Sequence, residues 1–188
     1  MEDFDPDIDF ELKQQFTALA IDPAKYQHYI DLRRTSQHLP MAILAGSIGA
    51  ILGALAWLGI TAFTTLQVGW MAIAIGTIIG GLVRVAGQGI DRGFGLIAAI
   101  LTLAGSAVGT LLGGCWLLAL QSEEVAFADL LFSLTPGLIT QIYLGLLTPM
   151  NLSYYGVAVA AAYWLGIRRI RREEMAMCAM DEQPQVDP

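Results

Sequence analysis

The chain has 188 residues, of which 55% are hydrophobic and only 14% are charged, whereas soluble domains carry about 25% charged residues. Between Met41 and Ile167 the basic residues are Arg84 and Arg92 alone, and this composition excludes a soluble domain with a charged surface. The formal net charge of −7 comes mostly from the two ends of the chain and gives no basic footprint for a nucleic-acid partner. We therefore expect an all-α, polytopic membrane protein.

Residues 1–40 are expected to form a cytoplasmic N-terminal segment made of an acidic tail and short helices. Asp22 is a candidate N-cap and Pro23 suits the first position of a helix, so the pattern predicts a helix from about residue 23 to 37. A second short helix is expected over residues 10–19. The first residues lack the basic stretch of a signal peptide, so we expect the first apolar helix to lead membrane insertion.

Four apolar segments approach or exceed the roughly 20 residues that a membrane helix needs. The spans are expected over about 41–63, 67–85, 94–118 and 152–167. Together they form a transmembrane domain over 41–167, built as two antiparallel helix hairpins, with a cytoplasmic tail at 168–188. The fourth span is short, roughly 24 Å at 1.5 Å per residue, and local thinning of the bilayer would accommodate it. Tyr154 and Tyr155 open this span and are expected at the membrane interface.

The basic residues predict the topology, because short cytoplasmic loops carry an excess of Lys and Arg. With four spans, the basic residues before the first span, in the second loop and after the last span all lie on one side. A fifth span over 127–147 would instead place four arginines outside. We therefore expect both termini in the cytoplasm. Residues 125–149 are expected to form two short amphipathic helices, joined at Pro136-Gly137, in the outer interface.

Small residues recur at helix-packing intervals in the first three spans. Transmembrane helices associate through such residues because lipid tails are as apolar as leucine. The candidate packing residues are Gly46, Gly53, Gly76, Gly80, Gly105, Gly109 and Gly113. The pattern predicts close helix crossings and is silent about activity.

The polar stretch GQGIDRG, residues 87–93, separates the second and third spans. A dinucleotide-binding loop would need GxGxxG between a strand and a helix, and the glycine spacing and the preceding element both differ here. The stretch is therefore interpreted as a tight turn whose glycines allow a left-handed helix terminus. The nearby cations, with those after the last span, are candidate contacts for a lipid headgroup or another anion: Arg84, Arg92, Arg168 and Arg169.

The predicted spans contain no Asp, Glu, Lys or His. Proton relays and intramembrane hydrolases place ionisable groups at such depths, so we predict no catalytic residue, no cofactor and no metal ligand. Polar side chains within the spans are hydroxyls, which commonly hydrogen-bond between helices: Ser47, Thr61, Thr77, Thr102, Ser106 and Thr110.

The runs GWMAIAIGTIIGGLVRVAGQGIDRGFGLIAAILTLAGSAVG and TPMNLSYYGVAVAAAYWLG carry a resemblance. They combine a Gly-Trp opening, an Arg-x-x-Gly-x-Gly stretch, a glycine-striped third helix and a Tyr-Gly motif opening the last. This pattern resembles an uncharacterised family of bacterial four-helix integral membrane proteins. The resemblance covers roughly residues 41–167. It implies the four-helix topology and no activity.

Two functions are compatible with these features. The first is a non-enzymatic protein of the bacterial inner membrane, acting as an oligomeric scaffold or as an accessory subunit of a membrane complex. Its expected partners are the lipid bilayer and other membrane-protein subunits or further copies of the chain. The alternative is a small oligomeric channel or transporter for an ion or small solute. The Pro136 hairpin would then be an outer gate, Arg84 would lie at the inner mouth, and the lining would come from Thr77, Thr102, Ser106 and Thr110.

Overall fold

The computed structural model describes residues 22–65, 69–122, 126–146, 148–168 and 170. Within these residues the protein is all-α, with 86% of them in helices and no strand. The predicted acidic tail, the expected helix over 10–19, Arg169 and the C-terminal tail from residue 171 lie outside the described residues. The chain divides into two compact units, of which the larger spans Gln37–Arg168.

The described part of the smaller unit contains one helix, α1 (Pro23–Thr35). The carboxylate of Asp22 accepts a hydrogen bond of 2.9 Å from the backbone N–H of Ala24, which confirms the predicted N-cap. Toward the other end, the Nε of Arg33 donates a 2.9 Å hydrogen bond to the Tyr29 hydroxyl. The helix is polar on most of its surface, in contrast to those of the larger unit.

The larger unit contains four long helices and one short helical hairpin. The long helices are α2 (Leu39–Thr64), α3 (Met71–Gly87), α4 (Arg92–Gln121) and α7 (Pro149–Gly166). Among the described residues, α2 and α4 are long and apolar enough to cross a membrane, with 26 and 30 residues. Helix α3 is apolar but has 17 residues, and α7 has 18. Four crossings therefore stay a prediction.

Helices α3 and α4 lie at the centre of the bundle and contact each other. Helices α2 and α7 each pack against both of these central helices. Helices α2 and α7 also meet, where the rings of Trp57 and Tyr155 stack with their centroids 6.4 Å apart. The core between the helices is dominated by Ala and β-branched residues, including Ala72, Ile79 and Ala158. The small side chains in this core allow the backbones of neighbouring helices to approach closely.

The helix ends of this bundle are joined by backbone hydrogen bonds. The N–H of His38, before α2, donates to the carbonyl of Gly87 at 3.1 Å. The N–H of Arg168, after α7, donates to the carbonyl of Gly89 at 2.9 Å. The start of α2, the α3–α4 connection and the end of α7 therefore lie at the same end of the bundle.

The α3–α4 connection corrects one sequence-based expectation. The left-handed residue after α3 is Gln88, with φ of 49°, and no described glycine has a positive φ. The glycines are instead needed for space. A Cβ at Gly89 would overlap the ring of the buried Phe94, and one at Gly87 would lie 2.6 Å from the same ring.

The short hairpin consists of α5 (Phe127–Phe132) and α6 (Pro136–Leu146). Two helices were predicted here, but Pro136-Gly137 is not the joint between them. Residues 133–135 connect the helices, and Pro136 begins α6 because a helix needs no backbone N–H at that position. Both helices pack against α4, with the rings of Phe127 and Trp116 5.5 Å apart.

Candidate functional site

Three hydroxyls lie on one face of α4, at intervals of four residues that bring side chains onto the same side of a helix. Thr102, Ser106 and Thr110 are 0%, 0% and 4% exposed. They face the interior of the bundle formed by a single chain. We call these three residues, together with Trp57 and Tyr155, the polar seam.

Tyr155 of α7 makes the principal hydrogen bonds of the polar seam. Its hydroxyl is bonded to Oγ1 of Thr110 and donates to the backbone carbonyl of Ser106 at 3.3 Å. A phenol has one proton to give, so with Ser106 as its acceptor it accepts the proton of Thr110. The side chain of Tyr155 is only 8% exposed and its polar tip points into the bundle, whereas the sequence suggested an exposed interfacial tyrosine; its depth in the membrane stays a prediction.

Trp57 closes the polar seam from α2. Its ring stacks on Tyr155, and a Cβ at Gly109 would lie 3.2 Å from the indole. Its Nε1 has no hydrogen-bond partner among the described residues, and the same holds for the buried hydroxyls of Thr61, Thr102 and Ser106. Leaving a buried polar group unpaired costs about 1–3 kcal/mol.

The hairpin also contributes a side-chain hydrogen bond to α4. The phenol of Tyr143 in α6 donates a 2.8 Å hydrogen bond to the backbone carbonyl of Ala107. Burial, and to a lesser extent the nearby Tyr155, raises the pKa of Tyr143 above its ordinary value. The phenol therefore remains a neutral donor at physiological pH and keeps α6 attached to α4.

The chemistry available in the polar seam is hydrogen bonding between helices. A serine or threonine nucleophile needs an adjacent base, and the sequence contains no Asp, Glu, Lys or His over residues 41–83, 93–122 or 149–167. Thr77, the other hydroxyl expected in a pore lining, is exposed on α3 and donates to the carbonyl of Ala74 at 2.8 Å. It is therefore separate from the buried hydroxyls of α4.

The predicted lipid or anion contacts lie at the end of the bundle described above. Arg84 is half-buried in the last turn of α3, and Arg92 is exposed as the first residue of α4. Arg168 is half-buried directly after α7, and its backbone is bonded to Gly89. Cations from three helix ends thus share one end of the bundle. Arg169 lies outside the described residues.

The candidate packing glycines lie at helix contacts. A Cβ at Gly76 or Gly80 of α3 would lie 2.5 Å from the carbonyl oxygen of Ala158 or 2.8 Å from that of Ala162, both in α7. Between α2 and its neighbours, closely approached positions are Gly46 (2.6 Å from Leu101), Gly53 (3.0 Å from Ile75) and Gly105 (3.0 Å from Ala50). Gly109 lies against Trp57, and Gly113 is buried.

Two features of the site were not identified from the sequence. The first is the hydrogen bond between Tyr155 and Thr110. These residues are 45 positions apart in the sequence, and a tyrosine at the start of an apolar helix is typical of a membrane interface. Gly95 and Gly166 were not among the predicted packing residues, yet a Cβ at Gly95 would lie 2.8 Å from the carbonyl oxygen of Tyr163. The sequence signal for Gly166 is the run of small residues at intervals of four, Ala158, Ala162 and Gly166.

No protein-family model, curated protein or solved structure matches the chain. The resemblance to bacterial four-helix membrane proteins therefore rests on the sequence motifs alone.

Proposed function

We propose that the protein is an integral membrane protein of the bacterial inner membrane, without enzymatic activity, that acts as an oligomeric scaffold or as an accessory subunit of a membrane complex. The proposal includes four membrane crossings by α2, α3, α4 and α7, with both termini in the cytoplasm and the hairpin of α5 and α6 in the outer interface. The resemblance to four-helix membrane proteins is part of the same proposal.

The exposed side chains of the two shorter helices support four crossings. On α3 they include Ile78, which is 57% exposed, and Val85, which is 75% exposed. On α7 they include Leu152 and Trp164, which are 63% and 61% exposed. At 1.5 Å per residue these helices are about 26 and 27 Å long, close to the roughly 30 Å of a hydrocarbon core. Apolar surface of this kind is stable in lipid and unfavourable in water.

The shared end of the bundle supports the orientation. The start of α2, the α3–α4 connection and the end of α7 lie together, as they must in an up-and-down bundle with both termini on one side. Arg84, Arg92 and Arg168 lie at this end, and the positive-inside rule assigns such an end to the cytoplasm.

The observation that carries the functional proposal is the burial of Thr102, Ser106 and Thr110 inside one chain's bundle. A channel formed between copies would need these hydroxyls at the surface of each copy. With the polar groups enclosed, the outside of the long helices offers apolar side chains for lipid or for other membrane helices. This arrangement favours a packing role over solute passage.

Extraction in mild detergent, followed by native mass measurement and peptide identification, tests this proposal. A homo-oligomer or a stoichiometric set of membrane-protein partners is the expected result, whereas a monomer without partners would contradict it. Flux measurements in liposomes test the alternative. If the protein were a channel, Arg84→Ala would abolish a flux that the unmodified protein supports; we expect neither protein to conduct.

A further inference from the structure

Arg84 carries a half-buried positive charge in the last turn of α3. It lies at the end of the bundle that also holds Arg92 and Arg168, which we call the basic end. Among the described residues its guanidinium makes no hydrogen bond and no ion pair, so Asp91 in the α3–α4 connection does not pair with it. Arginines that are removed from water are almost always paired. The guanidinium of Arg84 is therefore available to an anion.

The charges of the basic end favour a ligand with a net negative charge. Its described residues carry three arginines and one carboxylate, a net charge of +2, and a positive region of this kind attracts anions. A guanidinium holds a phosphate through two parallel, charge-assisted N–H···O bonds. The chemistry at Arg84 thus matches a phosphate group that is not neutralised by a cation in the same molecule.

The position of Arg84 favours a lipid phosphate over a soluble one. Arg84 precedes Gly87, the last residue of α3, by three residues, which is about 4.5 Å along the helix axis. The proposed membrane placement puts this turn at the boundary between the hydrocarbon and the headgroups of the cytoplasmic leaflet. An arginine at such a depth keeps its aliphatic part in apolar surroundings while its guanidinium reaches the headgroups.

The surface of α3 beside Arg84 leaves room for an acyl chain. Gly81 lies one turn nearer the middle of the helix, on the same side as Arg84, and no atom lies within 4 Å of its Cβ position. Thr77, a further turn away, is exposed, as are the neighbouring apolar side chains of Ile78 and Val85. An acyl chain can therefore follow this side of α3 from the level of Arg84 toward the middle of the membrane.

We propose that the basic end binds one phospholipid with a net negative headgroup, taken from the cytoplasmic leaflet. Arg84 holds the phosphate diester, Arg92 and Arg168 add long-range attraction, and one acyl chain lies along α3 over Gly81. The inference rests on the proposed membrane placement. It assigns the binding to one half-buried arginine rather than to the positive charge of the basic end as a whole.

Native mass spectrometry of the full-length protein, delipidated in mild detergent, tests the proposal. The protein is titrated with phosphatidylglycerol and, separately, with phosphatidylcholine that has the same acyl chains. We expect the first phosphatidylglycerol to bind at least about fivefold more tightly, the ratio that corresponds to about 1 kcal/mol for a nearby arginine. Equal affinities for the two lipids would overturn the proposal.

Arg92 provides the matched control for Arg84, because each adds one positive charge to the basic end but only Arg84 is half-buried. Arg84→Gln should weaken the binding of the first phosphatidylglycerol at least about tenfold, since a charge-assisted hydrogen bond contributes about 1.5–3 kcal/mol. Arg92→Gln should weaken it about fivefold or less, since it removes only long-range attraction of about 1 kcal/mol. Equal losses in the two variants, or no loss in Arg84→Gln, would overturn the site.

Arg84→Lys separates the geometry of the guanidinium from its charge. Lysine retains the charge without the planar fork, so the affinity of this variant should lie between those of the unmodified protein and Arg84→Gln. Thermal unfolding in the same detergent checks that each variant is folded. If Arg84→Gln does not fold, Arg84→Lys still tests the site, and an affinity equal to that of the unmodified protein would overturn the bidentate contact.

A soluble competitor identifies the source of the phosphate. Glycerophosphoglycerol carries the phosphodiester of phosphatidylglycerol without the acyl chains. At the concentration that saturates the site with lipid, it should leave lipid binding unchanged. If it displaces the lipid at that concentration, the ligand is a soluble anion and the lipid assignment is wrong.

The same spectra separate this inference from the proposed function. Binding is measured in detergent, so it does not depend on the side of the membrane that the basic end faces. A monomer without protein partners that binds the lipid through Arg84 would contradict the scaffold role and leave the lipid site in place. A homo-oligomer or a set of partners without Arg84-dependent lipid binding would overturn the lipid site alone.

Discussion

Gly76 of α3 lies directly against the carbonyl oxygen of Ala158 in α7, so that a Cβ on Gly76 would lie 2.5 Å from that oxygen. The obstructing atom belongs to the backbone of a helix and cannot rotate away as a flexible side chain does. One turn further along α3, Gly80 faces the carbonyl of Ala162 in the same way. These glycines set how closely α3 and α7 approach each other.

Gly76→Ala should therefore destabilise the bundle by about 1–3 kcal/mol, the usual cost of inserting a methyl group into a packed interface. Gly81, in the same helix, is the matched control because nothing lies within 4 Å of its Cβ position. Gly81→Ala should be neutral or stabilising by up to about 1 kcal/mol, since alanine favours a helix over glycine. Thermal unfolding in mild detergent measures both, and equal effects of the two substitutions would contradict the packing described here.

Tyr155→Phe should destabilise the protein by about 0.5–1.5 kcal/mol, because it removes the buried hydrogen bond between the Tyr155 and Thr110 hydroxyls. The neighbouring Tyr154 is half-buried, and Tyr154→Phe is the matched control. Thr110→Val completes a double-mutant cycle with Tyr155→Phe. If the two substitutions are additive in thermal unfolding, the hydrogen bond between α4 and α7 does not contribute to stability.

Ser106→Ala should leave stability unchanged or raise it by about 1 kcal/mol, because it removes a buried hydroxyl that has no partner among the described residues. Thr110→Val, one turn away on the same face of α4, should have the opposite effect. Chemical unfolding in detergent compares the two variants. A large loss of stability in Ser106→Ala would show that this hydroxyl is bonded in the folded protein.

Gly89→Ala should strongly destabilise the α3–α4 connection, since the added methyl group would overlap the ring of Phe94. Gly93→Ala, four residues on, has open space and should have little effect. In a Phe94→Ala background the cost of Gly89→Ala should largely disappear, because the obstructing ring is gone. The thermal midpoints of the unmodified protein, Gly89→Ala, Phe94→Ala and the double variant test this. An undiminished cost of Gly89→Ala in the Phe94→Ala background would indicate a backbone requirement at Gly89 instead.

The sequence patterns located the helices well, because each was marked by local chemistry. Asp22 and Pro23 marked the start of α1, and long apolar runs marked the four helices of the bundle. The contacts between helices were less accessible to sequence analysis. Tyr155 carries the residue type expected at an interface, and only the packing of α7 against α4 brings its hydroxyl to Thr110.

The α3–α4 connection illustrates a second limit of sequence analysis. Glycines at 87 and 89 suggested left-handed backbone, yet Gln88 adopts that conformation. The two glycines are needed because the ring of Phe94 lies close to both of them and leaves no room for a side chain. A glycine pattern alone does not distinguish a conformational requirement from a steric one.

The accessibility of Gln88 and Ser133 from outside the cell tests the four-crossing topology most directly. Both are exposed, and each is replaced singly by Cys in a Cys115→Ala, Cys178→Ala background. A membrane-impermeant maleimide is then applied to intact and permeabilised cells. Four crossings predict that Ser133→Cys reacts in intact cells and Gln88→Cys only after permeabilisation. If α2 and α4 were the only crossings, with the N-terminus in the cytoplasm, the pattern would be reversed, and that result would contradict the account.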